Sequence, residues 1–323
     1  MKKFLLLVIL LLVGAAFFIF LPSTGSGVIN IKTGMSSRQL AEQLAQDNIV
    51  RSATVFRYYL RLTGADRNLV IGVHDISASL TIVDLGRALT DQTNLATEEA
   101  ITIIEGWRAS EMRDYLVERG IVTDQEWQEA IMTDKWRDQY EFLAGVNART
   151  VEGFLFPDTY RIFADASAED IVGKMLANFD RQLTAEMSQE LAKNNKSIYE
   201  AVTLASIVER ESLGDQQPMV ADIFWKRLDI GMALQSDATV NYVTGKSALR
   251  PTYADLAADS PYNTYRYPGL PPTPISNPGL NALKAVVYPQ RNPYYYFLTD
   301  LEGKIYYGRT YEEHQANIAR YLE

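Results

Sequence analysis

Residues 199–212, YEAVTLASIVERES, are the stretch from which the rest of the chain can be read. Apolar residues recur there at helical spacing, which predicts a helix from Tyr199 to Ser212 that ends by Gly214. At about 100° per residue, Leu204, Ile207 and Val208 form one stripe and Glu211 falls on its centre line, while Glu209 points away toward solvent. A carboxylate on an apolar face near a helix end must find partners or have its pKa raised. Raised carboxylic acids suit glycosidic cleavage, because the departing sugar oxygen has to be protonated as it leaves. A buried ion pair between Glu211 and an arginine accounts for the same pattern, and on periodicity alone it is the more ordinary of the two.

Downstream, a helix over Pro218 to Ile230 offers Val220, Ile223, Phe224, Arg227 and Leu228 for packing and is broken at Gly231. The segment LQSDATVNYV (234–243) then concentrates Gln235, Ser236, Asp237, Thr239, Asn241 and Tyr242, the kind of hydrogen-bonding surface that sugars require. Ser236 or Asp237 equally suits the N-cap of a helix over Thr239 to Val243, and for Asp237 capping and site lining are not exclusive. A third block, SPYNTYRYPGLPPTPISNPG (260–279), has too many prolines and glycines for regular structure. Tyr262, Tyr265 and Tyr267 supply flat faces for stacking on sugar rings, and Asn263 supplies an amide. A proline-rich structural turn fits that composition as well.

The amino terminus predicts a membrane anchor. Met1-Lys2-Lys3 precedes an apolar run from Phe4 to Leu21, close to the roughly 20 residues a helix needs to cross the hydrocarbon core. The run continues through Phe17 to Leu21 with no polar cleavage region, which favours an uncleaved anchor over a signal peptide. Lys2 and Lys3 keep the terminus in the cytoplasm, so everything after Pro22 is expected outside.

Four segments follow from these patterns: residues 1–21 as cytoplasmic stub and anchor, 22–27 as a linker, 28–98 as a small α+β module, and 99–323 as a mixed α+β catalytic region. In the module, a strand over Val28 to Ile31 precedes a helix capped by Ser36 or Ser37 with Leu40, Ala41 and Leu44 on one face. A second helix carrying Val55, Tyr59 and Leu62, a strand around Leu69 to Val73 and a helix over Ile82 to Leu89 complete it. The catalytic region opens with a strand over Ala100 to Ile104, a turn at Glu105-Gly106 and a helix from Ala109 to Leu116.

Composition excludes several classes of function. A formal net charge of −9 leaves no basic footprint for a phosphate backbone, so nucleic acid is not an expected partner. There are no cysteines, hence no disulfide framework, thiolate site or cysteine nucleophile. With His74 and His314 as the only histidines, neither a histidine-rich metal site nor a Ser-His-Asp relay is expected.

Taken in order, ASIVERES (205–212), GMALQSDATVNYV (231–243) and the block 260–279 resemble the signatures of the YceG-like endolytic murein transglycosylases. Upstream, VEGFLFPDTYRI (151–162) resembles the family's EG-PDTY signature, and IEGWRASEMRDYL (104–116) its EG-containing helix entry. The resemblance implies Glu211 as the catalytic residue, with Gln235, Asp237, Tyr262, Asn263 and Tyr265 lining the substrate cleft. It also implies a LysM-like amino-terminal module, although Gly72-Val73-His74-Asp75 departs from the family's glycine-threonine-tyrosine. The implied reaction is lytic and needs no cofactor or metal: one carboxylate cleaves the MurNAc–GlcNAc bond inside a peptidoglycan strand and leaves a 1,6-anhydro end. Peptidoglycan synthases are the implied partners, and the implied location is the cytoplasmic membrane, single-pass, with the catalytic domain extracytoplasmic or periplasmic. Two other readings stand beside it: a hydrolase using Glu211 with Asp237, and a noncatalytic anchored scaffold that binds peptidoglycan.

Overall fold

The computed structural model describes residues 25–32, 34–76, 80–91, 98–163, 166–212, 214–246, 251–300 and 302–322. The expected anchor, Phe4 to Leu21, lies outside the described residues, as does the linker up to residue 24. Among the described residues no helix is long and apolar enough to cross a membrane. The chain divides into two units, one ending at Glu98 and the other beginning at Glu99.

The first unit runs β1 (Gly27–Ile31), α1 (Ser37–Gln46), α2 (Ala53–Thr63), β2 (Gly72–Ile76) and α3 (Ile82–Ala88). β1 and β2 are antiparallel, with Ile29 opposite His74 and Ile31 opposite Gly72. Alternation along the strands sends Ile29, Ile31, His74 and Ile76 inward onto Leu40, Leu44, Phe56, Leu60 and Leu85. α1 begins in a capping box: the Ser36 hydroxyl accepts from Gln39 N at 3.3 Å while the Gln39 carboxamide accepts from Ser36 N at 3.0 Å.

Two details of this unit differ from the pattern-based expectation. The buried face of α2 is Phe56 and Leu60, and Leu62 is 86% exposed. Val55 and Tyr59 flank that i, i+4 pair, half-buried and packed against the same core, so of the expected face only Leu62 turns out to solvent. The second strand starts at Gly72 rather than Leu69, because the pairing that puts His74 and Ile76 on the inner face begins there, and the His74 ring reaches Val70 O at 2.8 Å.

The second unit opens with β3 (Glu98–Thr102), α4 (Ala109–Glu118), α5 (Asp124–Ala130) and β4 (Thr159–Phe163). It continues with α6 (Ala168–Gln182), α7 (Ala185–Lys193), α8 (Ile198–Glu211), α9 (Gln217–Asp229), α10 (Asp237–Thr244) and α11 (Tyr253–Leu256). α12 (Leu280–Val287), β5 (Tyr296–Thr299), β6 (Ile305–Gly308) and α13 (Tyr311–Tyr321) complete it. β3 pairs with β4, and β5 with β6 in an antiparallel hairpin. The architecture is mixed α+β, with many more of the described residues in helices than in strands.

α8 forms the centre of the second unit. Ser197 starts it with a capping box to Glu200, satisfying donors that the first turn leaves orphaned. α7, α9, α10 and α12 pack around it, so every residue from Ala201 to Glu209 is buried. Leu204, Ile207 and Val208 have no exposed surface, and each such burial contributes roughly 1.5–3 kcal/mol. A helix enclosed in this way has no solvent face, which overturns the expectation of a solvated Glu209: that residue is 9% exposed.

Polar groups on α8 hold the proline-rich block against it. The Ser206 hydroxyl donates to Thr203 O at 2.7 Å and accepts from Ile275 N at 3.0 Å, while Ser276 donates to Ser206 O at 3.1 Å. Glu209 accepts from Gly279 N at 3.0 Å. These contacts supply the irregular loop with hydrogen bonds that it cannot make within itself.

Candidate active site

Glu211 is the last residue of α8, and α10 begins opposite it with its amino terminus turned toward the carboxylate. Oε1 accepts from the Ser236 hydroxyl and from Ala238 N, the latter at 3.3 Å. Ser236 occupies the N-cap position of α10 but makes no side-chain capping bond there; its hydroxyl is directed to Glu211 instead. Glu211 thus takes over part of the capping of a helix 25 residues away in sequence. Oε2 has no hydrogen-bond partner among the described residues.

Burial is the largest influence on this carboxyl and pushes its pKa up. The Ser236 hydroxyl opposes that, the negative charge of Asp237 adds to it, and the Ala238 amide and Arg227 pull back down. Arg227 is buried, and its guanidinium is engaged with backbone carbonyls: Nε with Tyr295 O at 2.7 Å and Nη1 with Leu234 O at 2.6 Å. It acts on Glu211 through its field, and no ion pair within 4 Å joins Glu211 to an arginine among the described residues. The buried ion pair that periodicity allowed is therefore absent there.

The segment that carries Ser236 is pinned to the tyrosine loop. Gln235 N donates to Thr264 O at 3.1 Å, and Ser236 N to Thr264 Oγ1 at 3.0 Å. Thr239 Oγ1 donates to Ser236 O at 2.7 Å and lies 2.9 Å from Thr264 Oγ1. Gln235 adopts φ +52°, a left-handed conformation that costs a non-glycine residue about 1–2 kcal/mol and that these bonds hold in place. Tyr265 donates from its phenol to Asp237 Oδ1 at 2.6 Å. Burial first, then the Asp237 charge and hydrogen bond, push the Tyr265 pKa far up, so it stays a donor.

This arrangement sits on segments whose pattern extends over most of the chain: the profile of the YceG-like family matches residues 29–320. The chain belongs to the YceG-like family. It is 30% identical to a Bacillus subtilis protein named endolytic murein transglycosylase, an alignment covering 91% of this chain and 84% of the relative. A Streptococcus pneumoniae protein of the same name is 27% identical, with 91% of this chain and 58% of that protein aligned. A crystal structure of a YceG-like protein from Listeria monocytogenes superposes with a TM-score of 0.62 at 28% identity, covering 90% of this chain and 98% of that one.

The residues that the YceG-like signatures single out fall into different environments. Glu211, Asp237 and Tyr265 are half-buried and connected through Ser236 and α10. Gln235 is exposed beside them. Tyr262 is half-buried, with its phenol 2.9 Å from Thr273 Oγ1 and its ring 4.9 Å from that of Tyr242. Asn263, expected to line the cleft, is instead wholly buried: Nδ2 donates to Leu256 O at 2.9 Å and Ala258 O at 2.8 Å, and Oδ1 accepts from Tyr265 N. Its amide shapes the loop and has no surface with which to touch a sugar.

Sequence reasoning passed over Thr264, took Ser236 as a helix cap or part of a sugar-binding surface without pairing it with Glu211, and read Arg227 only as packing. The clustering of hydroxyls in QSDAT and YNTY was the available signal for the first two. For Arg227 there was none, since its carbonyl partners at Leu234 and Tyr295 are set by the fold.

Proposed function

We propose that this protein is an endolytic lytic transglycosylase that cleaves the MurNAc–GlcNAc bond within peptidoglycan strands and leaves 1,6-anhydro-MurNAc ends. The observation that carries the reading is the state of Glu211: burial raises its pKa, one oxygen is held by Ser236 and the α10 amide, and the other has no partner among the described residues. A carboxyl with a pKa nearer the working pH can act as acid and then as base. Protonated Glu211 gives its proton to the bridging oxygen as the bond to the anomeric carbon breaks. The resulting carboxylate takes the proton of the MurNAc C6 hydroxyl, whose oxygen attacks that carbon and closes the anhydro ring, so water is not consumed. Asp237 contributes charge that keeps Glu211 high, and Tyr265 holds Asp237 in place.

Glu211→Gln keeps an oxygen for Ser236 and Ala238 but carries no transferable proton. Turnover of purified glycan strands by the full chain is expected to fall about 10²- to 10⁴-fold with the fold intact, measured as anhydro-ended fragments by mass spectrometry. An unchanged rate refutes the role of Glu211. Reducing ends labelled from ¹⁸O-water would favour hydrolysis by Glu211 and Asp237, and absence of digestion by the parent would favour a binding scaffold.

The apolar run from Phe4 to Leu21 supports placement as a single-pass protein of the cytoplasmic membrane with the catalytic unit outside. Synthases that make the strands are the partners this reading expects, with cleavage releasing or terminating nascent polymer. The strand–helix–helix–strand order of β1, α1, α2 and β2 supports a LysM-like reading of the first unit.

A further inference from the structure

A cleft of about 410 Å³ lies in the second unit where the start of α4, α5 and α10 meet. Its polar wall consists of Arg108, Ser110, Gln128, Thr150, Glu152 and Tyr242. Tyr242 lies four residues beyond Ala238, whose amide holds Glu211, and four residues advance a helix by about 6 Å. The cleft therefore begins about one helical turn from the acid, a separation on the scale of a single pyranose ring.

Arg108 sets the chemistry. Its guanidinium lies over the Tyr242 ring at 5.0 Å, and no hydrogen bond or ion pair engages it among the described residues. Stacking uses the flat face of a guanidinium and leaves its N–H edge available. Burial and the nearby Arg210 lower its pKa, while Glu111, Tyr242 and Glu152 oppose that. Glu152 is not its bonded counter-ion: its oxygens accept from Ala109 N at 2.9 and 3.2 Å and from Asn277 Nδ2 at 2.6 Å. An unengaged guanidinium edge beside hydroxyl and carboxamide groups matches a ligand that brings a carboxylate together with amide groups. Peptidoglycan carries such a group next to its glycosidic bonds, in the peptide stem.

We propose that this cleft binds the peptide stem of the strand, with a stem carboxylate on the Arg108 guanidinium, and so selects strands whose cleavage site carries a stem. The proposal rests on the transglycosylase reading for its substrate, and its test includes a binding measurement that does not. The full chain and its Arg108→Gln variant would be compared on peptide-bearing strands and on strands stripped by an amidase. The parent is expected to prefer peptide-bearing strands in kcat/KM, and Arg108→Gln to reduce that preference by about ten-fold or more, the effect of losing a charge-assisted pair. In parallel, the free stem released by the amidase would be titrated calorimetrically into Glu211→Gln protein with and without Arg108→Gln, and binding should weaken by a similar factor.

An unchanged preference, an equal loss on both substrates, or a free stem that does not bind the Arg108-containing protein overturns the assignment. Equal loss would indicate the lactyl carboxylate that stripped strands retain. If Glu211→Gln cleaves like the parent while Arg108 still governs stem binding, the catalytic reading fails and the stem site stands.

Discussion

Glu209 and Glu211 lie two residues apart on α8, and burial raises the pKa of both, but their partners differ. Glu209 accepts from the Gly279 amide and holds a loop, whereas Glu211 accepts from the Ser236 hydroxyl and the Ala238 amide at the start of α10, beside Asp237. The Asp237 charge is among the causes of the raised Glu211 pKa, and its removal has a definite sign. In Asp237→Asn, Glu211 loses a repelling neighbour, its pKa falls, and the protonated acid is depleted at lower pH. The alkaline limb of kcat/KM should therefore move acidward, while Tyr265 retains a side-chain oxygen to donate to. A limb that stays in place would show that Asp237 acts by position and not by charge.

At the scale of elements, the irregular block 260–279 is rigid because other segments complete its hydrogen bonding. Asn277 makes the largest share of these contacts. Its Oδ1 accepts from Gly153 N at 2.8 Å and Leu155 N at 3.0 Å, and its Nδ2 donates to Trp107 O at 3.0 Å as well as to Glu152. Gly153 has φ +93°, and a Cβ there would come within 2.5 Å of Pro274, so the EG turn and the proline block fit only with a glycine between them. Asn277→Ala leaves buried amides of the 153–155 turn without an acceptor, and each such loss costs about 1–3 kcal/mol. The second unit is expected to be destabilised by about 3–5 kcal/mol in urea titration. A loss below about 1 kcal/mol would mean that water replaces the side chain.

For the molecule as a whole, buried carboxyls set how stability varies with pH. Burial raises Glu152, Glu209 and Glu211 alike, and Glu152 is pushed up to about 7. Above pH 4.5 the unfolded chain releases a proton that folded Glu152 still holds, so its contribution is complete below that pH and is lost as pH rises through about 7. The loss across that window is on the order of 3 kcal/mol. Glu152→Gln keeps an acceptor for Ala109 N and Asn277 and should flatten this part of the profile, measured by denaturant unfolding at successive pH values. An identical slope in parent and variant would show that Glu152 is already ionised in the folded protein.

Periodicity within single elements was enough to place α1, α3 and α8, to narrow the start of α1 to Ser36 or Ser37, and to set Glu211 on an apolar stripe, while the Ser197 cap of α8 was not read. The order and spacing of the signature segments were enough for the family. What lay beyond them was the choice of partners. A helical wheel describes an element's own faces and cannot show how many of them neighbours will cover, which is why Glu209 proved buried. A polar side chain in an irregular loop can turn either way, and only packing sent Asn263 inward and left Gln235 outside. The same holds for Ser236, whose hydroxyl left its own helix for a carboxylate 25 residues away, and for Arg108, whose cleft comes from segments that meet only in the folded chain. Sequence alone determined which groups the chain possesses and roughly where each element runs. Tertiary contact decided which of those groups face one another, because hydrogen bonding and desolvation depend on distances that the linear order does not contain.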